Sequence, residues 1–434
     1  MTSSAVDWSL LPLTADVGAD QTARVGGVSL LDLAGEFGTP LFVYDEEHLR
    51  ARCAEAVAAF PDGVAFASKA FLCGAMVRIA LAAGMSVDVA TGGELAAALA
   101  AGAAGDRLVM HGNNKSIAEL RDATAAGVGR IVVDSFDEFD RLEWLASTTA
   151  AWKAPEILVR LTPGVEAHTH EFVRTGHDDS KFGFSTGLGL ATRALERARR
   201  LHDMGVVRLV GVHAHVGSQV FDIDSFRQAA EVLAQIFVPL GLDELCVGGG
   251  LGVAYVNGEH APSLAEWGSA LRGALLAAGV DPATRVTAEP GRSICAAAAV
   301  TLYEVGTIKE VPGVRTFLSV DGGMSDNPRP VLYGSGYEAF LARSPRAQRT
   351  RTVTIMGKHC ESGDMLIRDA AVPADVVVGD ILVTPVTGAY GYSMASNYNR
   401  VPRPAVVFVD SGSARLVMRR ETAEDLNNLD VSLP

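Results

Sequence analysis

A rhythm beginning near residue 62 restricts the fold more than any other feature of this chain. Short, continuously apolar runs alternate with stretches rich in Ala, Leu and Glu. The runs are VAFAS (64–68), SVDVA (86–90), RLVMH (107–111), RIVVD (130–134), EILVRL (156–161), LVGVHAHV (209–216), ELCVGG (244–249) and RVTAEP (285–290). Continuous rather than alternating hydrophobicity marks strands covered on both faces, as in parallel sheets. Eight strand–helix units in roughly 240 residues are what a closed (β/α)8 barrel requires, and a doubly wound open sheet is the alternative.

Beyond residue 297 the texture changes. TLYEVGTIKEV, RTFLSVDGG, RTVTIMGKHC, DVVVGDILVTP and AVVFVDSGSARLVMRR are β-rich, with turn residues between them and little helical periodicity. The segment PLFVYD at 40–45 is also strand-like and precedes the barrel rhythm. The expected fold class is therefore α/β: a TIM-type barrel plus a C-terminal antiparallel β-domain that also takes up the N-terminal segment. The expected division is 1–44, 45–297 and 298–434.

The 434 residues carry a formal net charge of −14, which argues against a general binder of nucleic acid or anionic membrane. The five cysteines (Cys53, Cys73, Cys246, Cys295, Cys360) are scattered and form no CxxC, the usage of a reducing compartment. The N-terminal stretch lacks a basic start, and Pro12 and Asp16 interrupt its apolar part, so no signal peptide is expected. No apolar window of about 20 residues is free of charge. A cytoplasmic location is the expectation.

Unusual residues collect at the C-terminal ends of the eight runs, the rim where barrels of this kind build active sites. Lys69 ends the first run, Asp88 lies in the second with Glu94 following, and His111 ends the third. The sixth carries HAHVGSQ, with His213, His215 and Ser218; the seventh ends in GGGLG (248–252) and the eighth in EPGR (289–292). Consecutive glycines let backbone N–H groups form a nest for an anion, although a tight strand–helix turn needs them too. Ser218 and Arg292 at neighbouring rim positions favour phosphate. His213 and His215 stand two apart on one strand face. Metal ligation is one reading of the pair and a satisfied core histidine another, and His215 could stack on an aromatic ring. No carboxylate or cysteine cluster accompanies them, so no metal site is expected. His168 and His170, in EAHTHE, lie in a loop without a third ligand.

Lys69 is either a side chain snorkelling at a strand end or an amine whose pKa is lowered by burial for covalent chemistry. A reactive lysine, a phosphate cradle and a carboxylate for a pyridine nitrogen are together what pyridoxal phosphate requires. Asp88, Glu94 and Glu289 are the carboxylates available. A carboxylate in that position keeps the ring nitrogen protonated and favours reactions through a strongly stabilised carbanion, decarboxylation among them.

The combination FASKAF, HAHVGSQ, GGGLG and EPGRSI resembles the alanine-racemase-like, fold type III enzymes that use pyridoxal phosphate. Within them, SDNPRPVLYG (325–334), GKHCESGD (357–364) and GAYGYSMASNYN (388–399) resemble the meso-diaminopimelate decarboxylase family, over a similarity running from about residue 40 almost to the end. FASKAF stands where many relatives have a tyrosine first and an asparagine last. The resemblance implies decarboxylation of meso-2,6-diaminoheptanedioate to L-lysine and carbon dioxide, the last step of lysine synthesis. Decarboxylation of another basic amino acid (ornithine, arginine or lysine), or racemisation, is the alternative within the fold.

The resemblance also implies roles. Lys69 would hold the cofactor covalently, with His215 stacked on its ring and Glu289 paired with its nitrogen. Asp88, Ser218, Gly248, Gly249, Gly250, Pro290, Gly291, Arg292 and Tyr390 would complete the cofactor site. Arg292, Arg329, Tyr333, Glu361 and Tyr390 would contact substrate, and Cys360 would return a proton to the carbanion. Cys360 and Glu361 would come from a partner subunit, so a homodimer is implied. Independently, arginine suits a carboxylate through its planar fork, and the distal end of this substrate carries one. Taken alone, Arg329 reads as a turn-surface arginine and Cys360 as an ordinary buried cysteine.

Overall fold

The computed structural model describes residues 5–164 and 180–431; His168 and His170 lie outside the described residues. The chain divides into two compact units, one of Arg52–Gly252 and Ala261–Ser293, the other of Met1–Ala51, Val253–His260 and Ile294–Pro434.

In the first unit all eight expected runs are strands: Ala65–Ala67, Ser86–Val89, Leu108–Met110, Arg130–Val133, Glu156–Thr162, Arg208–Ala214, Glu244–Cys246 and Arg285–Thr287. Each pairs in parallel with its sequence neighbour. A parallel bridge between Val64 and Ala288, with Ala65 N–H donating to the Ala288 carbonyl at 2.9 Å, joins the eighth to the first. The sheet is thus a barrel and not an open doubly wound sheet. Several of the intervening helices start at side chains that accept otherwise unpaired backbone N–H groups, for example Ser116 and Ser263 in reciprocal capping boxes with Glu119 and Glu266.

The second unit is built on a sheet whose middle includes Leu41–Asp45, fully buried, antiparallel to Ala299–Val311 and parallel to Ala405–Asp410. The N-terminal strand is therefore part of the C-terminal sheet, as its apolar run suggested. Two pairings in this mostly antiparallel sheet are parallel, the second being Arg315–Val320 with Arg351–Met356. Among the described residues no helix is long and apolar enough to cross a membrane.

Candidate active site

At the barrel rim the central group is Glu289, buried two residues past the eighth strand. His111 Nε2 lies 2.8 Å from its Oε1 and His213 Nε2 lies 2.9 Å from its Oε2, while Asp88 Oδ1 is 3.9 Å from His111 Nε2. All four side chains are buried. Burial alone would raise the Glu289 carboxyl, but the charge and hydrogen bonds of His111 and His213 outweigh it and hold the group well below the usual carboxylate range. Burial pushes Asp88 up to about 6, with Glu289 adding to the rise and His111 and Lys69 opposing it. Desolvation lowers His213 to about 4; for His111 it is outweighed by Asp88 and Glu289, which raise it. Both shifts favour the charged pair, a Glu289 carboxylate beside a protonated His111. Because a carboxylate only accepts, neutral His213 carries its proton on Nε2, and its Nδ1 has no hydrogen-bond partner. Ligand atoms of His111, His213 and Glu289 lie within 4.8 Å of one another, the spacing of a cation site, but both imidazoles hydrogen-bond to the carboxylate between them.

His213 and His215 do not act as a pair. His213 points to Glu289, while His215, just beyond the strand, accepts from Gly249 N–H through Nδ1 at 3.1 Å. Desolvation, reinforced by the charges of Lys69 and Arg160, keeps its imidazole well below the usual range. The glycine run is forced by crowding. A Cβ on Gly248 would overlap the Ala214 carbonyl oxygen, one on Gly249 that of Glu289, and one on Gly250 that of Gly217. Gly248 and Gly250 also adopt φ of +67° and +114°. On the same rim Arg292 Nη2 donates to Ser218 Oγ at 2.9 Å. Pro290 accepts from Ala67 N–H at 3.1 Å, and a Cβ on Gly291 would come within 2.9 Å of Ala67 Cβ, which seats the EPGR turn against the segment leading to Lys69.

Lys69 follows the first strand in a single 3-10 turn, Ser68–Ala70. Residues 64–68, 70 and 71 are buried, but Lys69 itself is exposed, which suits the snorkelling alternative and not the buried amine. Its turn lifts it out of the apolar run. Glu94 is not an available carboxylate: its Oε2 accepts from Ala90 N–H at 2.6 Å, within the same helix start that Thr91 caps.

These residues fit pyridoxal phosphate. The glycine cradle is open only because side chains are missing there, Ser218 and Arg292 supply phosphate donors, Glu289 is an anion for a ring nitrogen, and Lys69 presents an accessible amine. Sequence reading passed over Arg160, buried in the fifth strand, whose Nη1 meets Asp134 Oδ2 at 3.2 Å and whose guanidinium lies 4.5 Å from the Phe182 ring centre. It also missed the fully buried Lys115–Glu138 pair, at 2.9 Å. The signal for Arg160 was visible: a charge in the middle of the apolar run EILVRL.

In the β-rich unit Arg329 is no surface residue. It is buried at the start of the short helix Arg329–Tyr333, with Nη1 donating to Tyr337 Oη at 2.6 Å and the guanidinium 4.1 Å from the Tyr255 ring centre. Its Nε has no hydrogen-bond partner, and no acidic side chain pairs with it among the described residues. Tyr333 and Tyr390 are half-buried, Tyr390 at a φ of +60°. Cys360 is exposed whereas the other four cysteines are buried, contrary to the expectation of an ordinary buried thiol. Its N–H donates to Asn399 Oδ1 at 2.9 Å, and the exposed Glu361 accepts from Gly363 N–H at 3.1 Å.

Comparison with known proteins agrees with this chemistry. Residues 46–296 match the family of pyridoxal-dependent decarboxylases, pyridoxal binding domain. The chain is 44% identical to the diaminopimelate decarboxylase of Mycobacterium tuberculosis over 97% of this chain and 99% of that one. With the enzyme of the same name from Bacillus subtilis it shares 46% identity over 94% and 95%. The crystal structure of diaminopimelate decarboxylase from M. jannaschii in complex with L-lysine superposes with a TM-score of 0.89 at 30% identity, covering 97% of this chain and 98% of that one. With an anionic carboxylate, an exposed amine and a glycine cradle on one barrel rim, and near-full-length kinship of this kind, the chain belongs to the diaminopimelate decarboxylase family of pyridoxal-dependent decarboxylases.

Proposed function

We propose that this protein decarboxylates meso-2,6-diaminoheptanedioate to L-lysine and carbon dioxide, using pyridoxal phosphate. The observation that carries the choice of substrate is Arg329. A buried guanidinium with no carboxylate partner is costly to maintain unless an anion joins it, and this substrate brings a second carboxylate remote from the reacting carbon. Ornithine and lysine have none.

Pyridoxal phosphate, when bound, supplies a protonated ring that delocalises the electron pair left as carboxylate departs. Lys69 would hold it covalently, and the exposed position of the amine leaves room for exchange with a substrate amine. Ser218, Gly248 to Gly250 and Arg292 would hold the phosphate, with Asp88, Pro290, Gly291 and Tyr390 completing the site and His215 against the ring. Glu289, whose carboxylate His111 and His213 stabilise in a dry environment, would supply negative charge to the ring nitrogen. On the substrate side, Arg329 with Tyr333 binds the distal carboxylate and Glu361 the distal ammonium. Cys360 Sγ then delivers a proton to the carbon that has lost its carboxylate.

We further infer a homodimer in which Cys360 and Glu361 serve the site of the other copy. Both are exposed, and the same motifs expose the apolar Val331, Leu332 and Tyr398, surface of the kind that subunit association covers. Carbon dioxide release by the purified holoenzyme from meso-diaminopimelate, L-lysine, L-ornithine and L-arginine tests the substrate. Release from meso-diaminopimelate well above the other three is expected, and equal or faster turnover of ornithine would defeat the assignment. For the dimer, inactive Lys69→Ala and strongly impaired Cys360→Ala proteins mixed under subunit exchange should regain activity well above the residual activity of either; no recovery would mean that the cysteine acts within its own chain.

A further inference from the structure

Three stretches separated by tens of residues, SDNPRP, GKHCESGD and ASNYN, converge around one carboxylate that does not touch the proposed substrate groups. Asp364 is 1% exposed, and its two oxygens accept three protein N–H groups. Oδ1 accepts from Met324 N–H at 2.6 Å; Oδ2 accepts from His359 N–H at 2.9 Å and sits 2.7 Å from His359 Nδ1. Its backbone closes the same loop, with Gly357 N–H donating to the Asp364 carbonyl at 2.8 Å and Asp364 N–H donating to that of Glu361 at 3.1 Å. A Cβ on Gly357 would overlap the carboxylate, and one on Gly323 would lie 2.6 Å from it. Both glycines therefore leave the space the carboxylate occupies.

The third stretch is bound to this core from two sides. His359, buried and oriented by Asp364, stacks on Tyr398 with ring centres 5.8 Å apart at 18°. Asn399 Oδ1 takes the Cys360 N–H, and Ser396 N–H donates to the Ser325 carbonyl at 2.8 Å. Cys360 and Glu361 project to solvent from this assembly, next to the buried His359. A loop that must present an acid and a binding carboxylate at fixed positions gains that rigidity from a buried charge satisfied by several donors.

We propose that Asp364 is a positioning residue which, through His359 and the Met324 amide, fixes the loop bearing Cys360 and Glu361. The inference rests on the roles proposed above for those two residues, and it separates into two parts. Loss of the Asp364 clamp should lower kcat through Cys360 and raise KM through Glu361.

The experiment is a pair of double-mutant cycles on the holoenzyme, with meso-diaminopimelate as substrate. Asp364→Asn turns one acceptor oxygen into a donor facing donors, and is expected to lower kcat about tenfold and raise KM by a similar factor. In a Cys360→Ala background the same change should leave kcat within about twofold, and in a Glu361→Gln background it should leave KM within about twofold. Losses that multiply fully in both backgrounds, or no loss in the parent, overturn the proposal, because a merely structural role is additive. If Asp364→Asn does not fold, His359→Gln, which keeps the carboxylate and the backbone bonds, goes through the same cycles with the same criteria. Alkylation of Cys360 by iodoacetamide, at the single exposed thiol, gives a readout independent of substrate. Its rate should change at least about fivefold in Asp364→Asn, and an unchanged rate overturns the proposal. Should the parent protein fail to turn over meso-diaminopimelate, the substrate assignment falls, and the alkylation rates alone decide the role of Asp364.

Discussion

Glu289 and Asp364 are both buried carboxylates next to histidine, yet they are built for different ends. Glu289 lies between two imidazoles contributed by the third and sixth barrel strands and their ends, with a second acid, Asp88, 3.9 Å from one of them. Its surroundings are other titratable groups, so its charge state is set by a shared distribution of protons. Asp364 is instead surrounded mainly by backbone N–H groups, which do not titrate, and by one imidazole. The barrel rim tunes charge; the β-rich unit fixes a loop. A buried carboxylate is thus no single kind of feature, and the nature of its donors tells which use it has.

The largest test of the rim is Lys69→Ala. If the exposed amine is the covalent anchor, turnover should fall on the order of 10³-fold or more, and the visible absorbance of the bound cofactor should disappear. Persistence of that absorbance would assign the anchor to another lysine. Arg329→Lys probes the other region. An ammonium cannot serve Tyr337 and a bound carboxylate with one planar fork, so kcat/KM should drop about 100-fold, the worth of one or two charged hydrogen bonds. A loss below about threefold would return Arg329 to a packing role.

Gly248→Ala tests the crowding of the rim directly. With φ at +67° and a carbonyl oxygen where the methyl would sit, unfolding in urea should show a loss of about 3 kcal/mol. An unchanged midpoint would mean that this turn relaxes easily.

His213→Gln gives the smallest effect, and its sign is specific. In the folded protein His213 titrates near 4, against about 6.5 when unfolded. The unfolded chain therefore binds the extra proton as pH falls from 6.5 towards 4, and stability is lost across that window. Asp88, raised to about 6, acts oppositely between about 6 and 3.8, because there the folded state holds the proton. Comparing the variant with its parent isolates the histidine. Relative to the parent, His213→Gln should gain about 2 kcal/mol between pH 7 and pH 5, read by urea unfolding at both values. A difference independent of pH would show that His213 is not held neutral.

How far the sequence could be read differs between the same two regions. All eight barrel strands were legible because burial on both faces leaves an unbroken apolar run, and the rim residues followed from where the runs end. The motif residues Arg329, Cys360 and Glu361 were legible only by family resemblance, and reading them alone gave the wrong exposure for both Arg329 and Cys360. Local pattern says nothing of Tyr255, which covers Arg329 from far away in the chain. For the same reason the bond between His111 and Glu289, 178 residues apart, was out of reach, although both residues were singled out. For Lys69 the apolar run left two readings open, a snorkelling side chain and a buried amine, and the 3-10 turn that exposes it decides for the first. Arg160 lay inside a recognised strand and was passed over because apolar neighbours dominate a window average.

Four thiols lie inside the folded chain and one, Cys360, lies outside it. In the single chain Cys360 is thus the one cysteine open to a reagent, and in the proposed dimer its accessibility would follow whether the two copies are together. A fluorophore coupled to that sulfur would report dilution, subunit exchange and inhibitor occupancy in the native sequence without any engineered cysteine, and an electrophilic compound would meet this residue before any other sulfur of its kind.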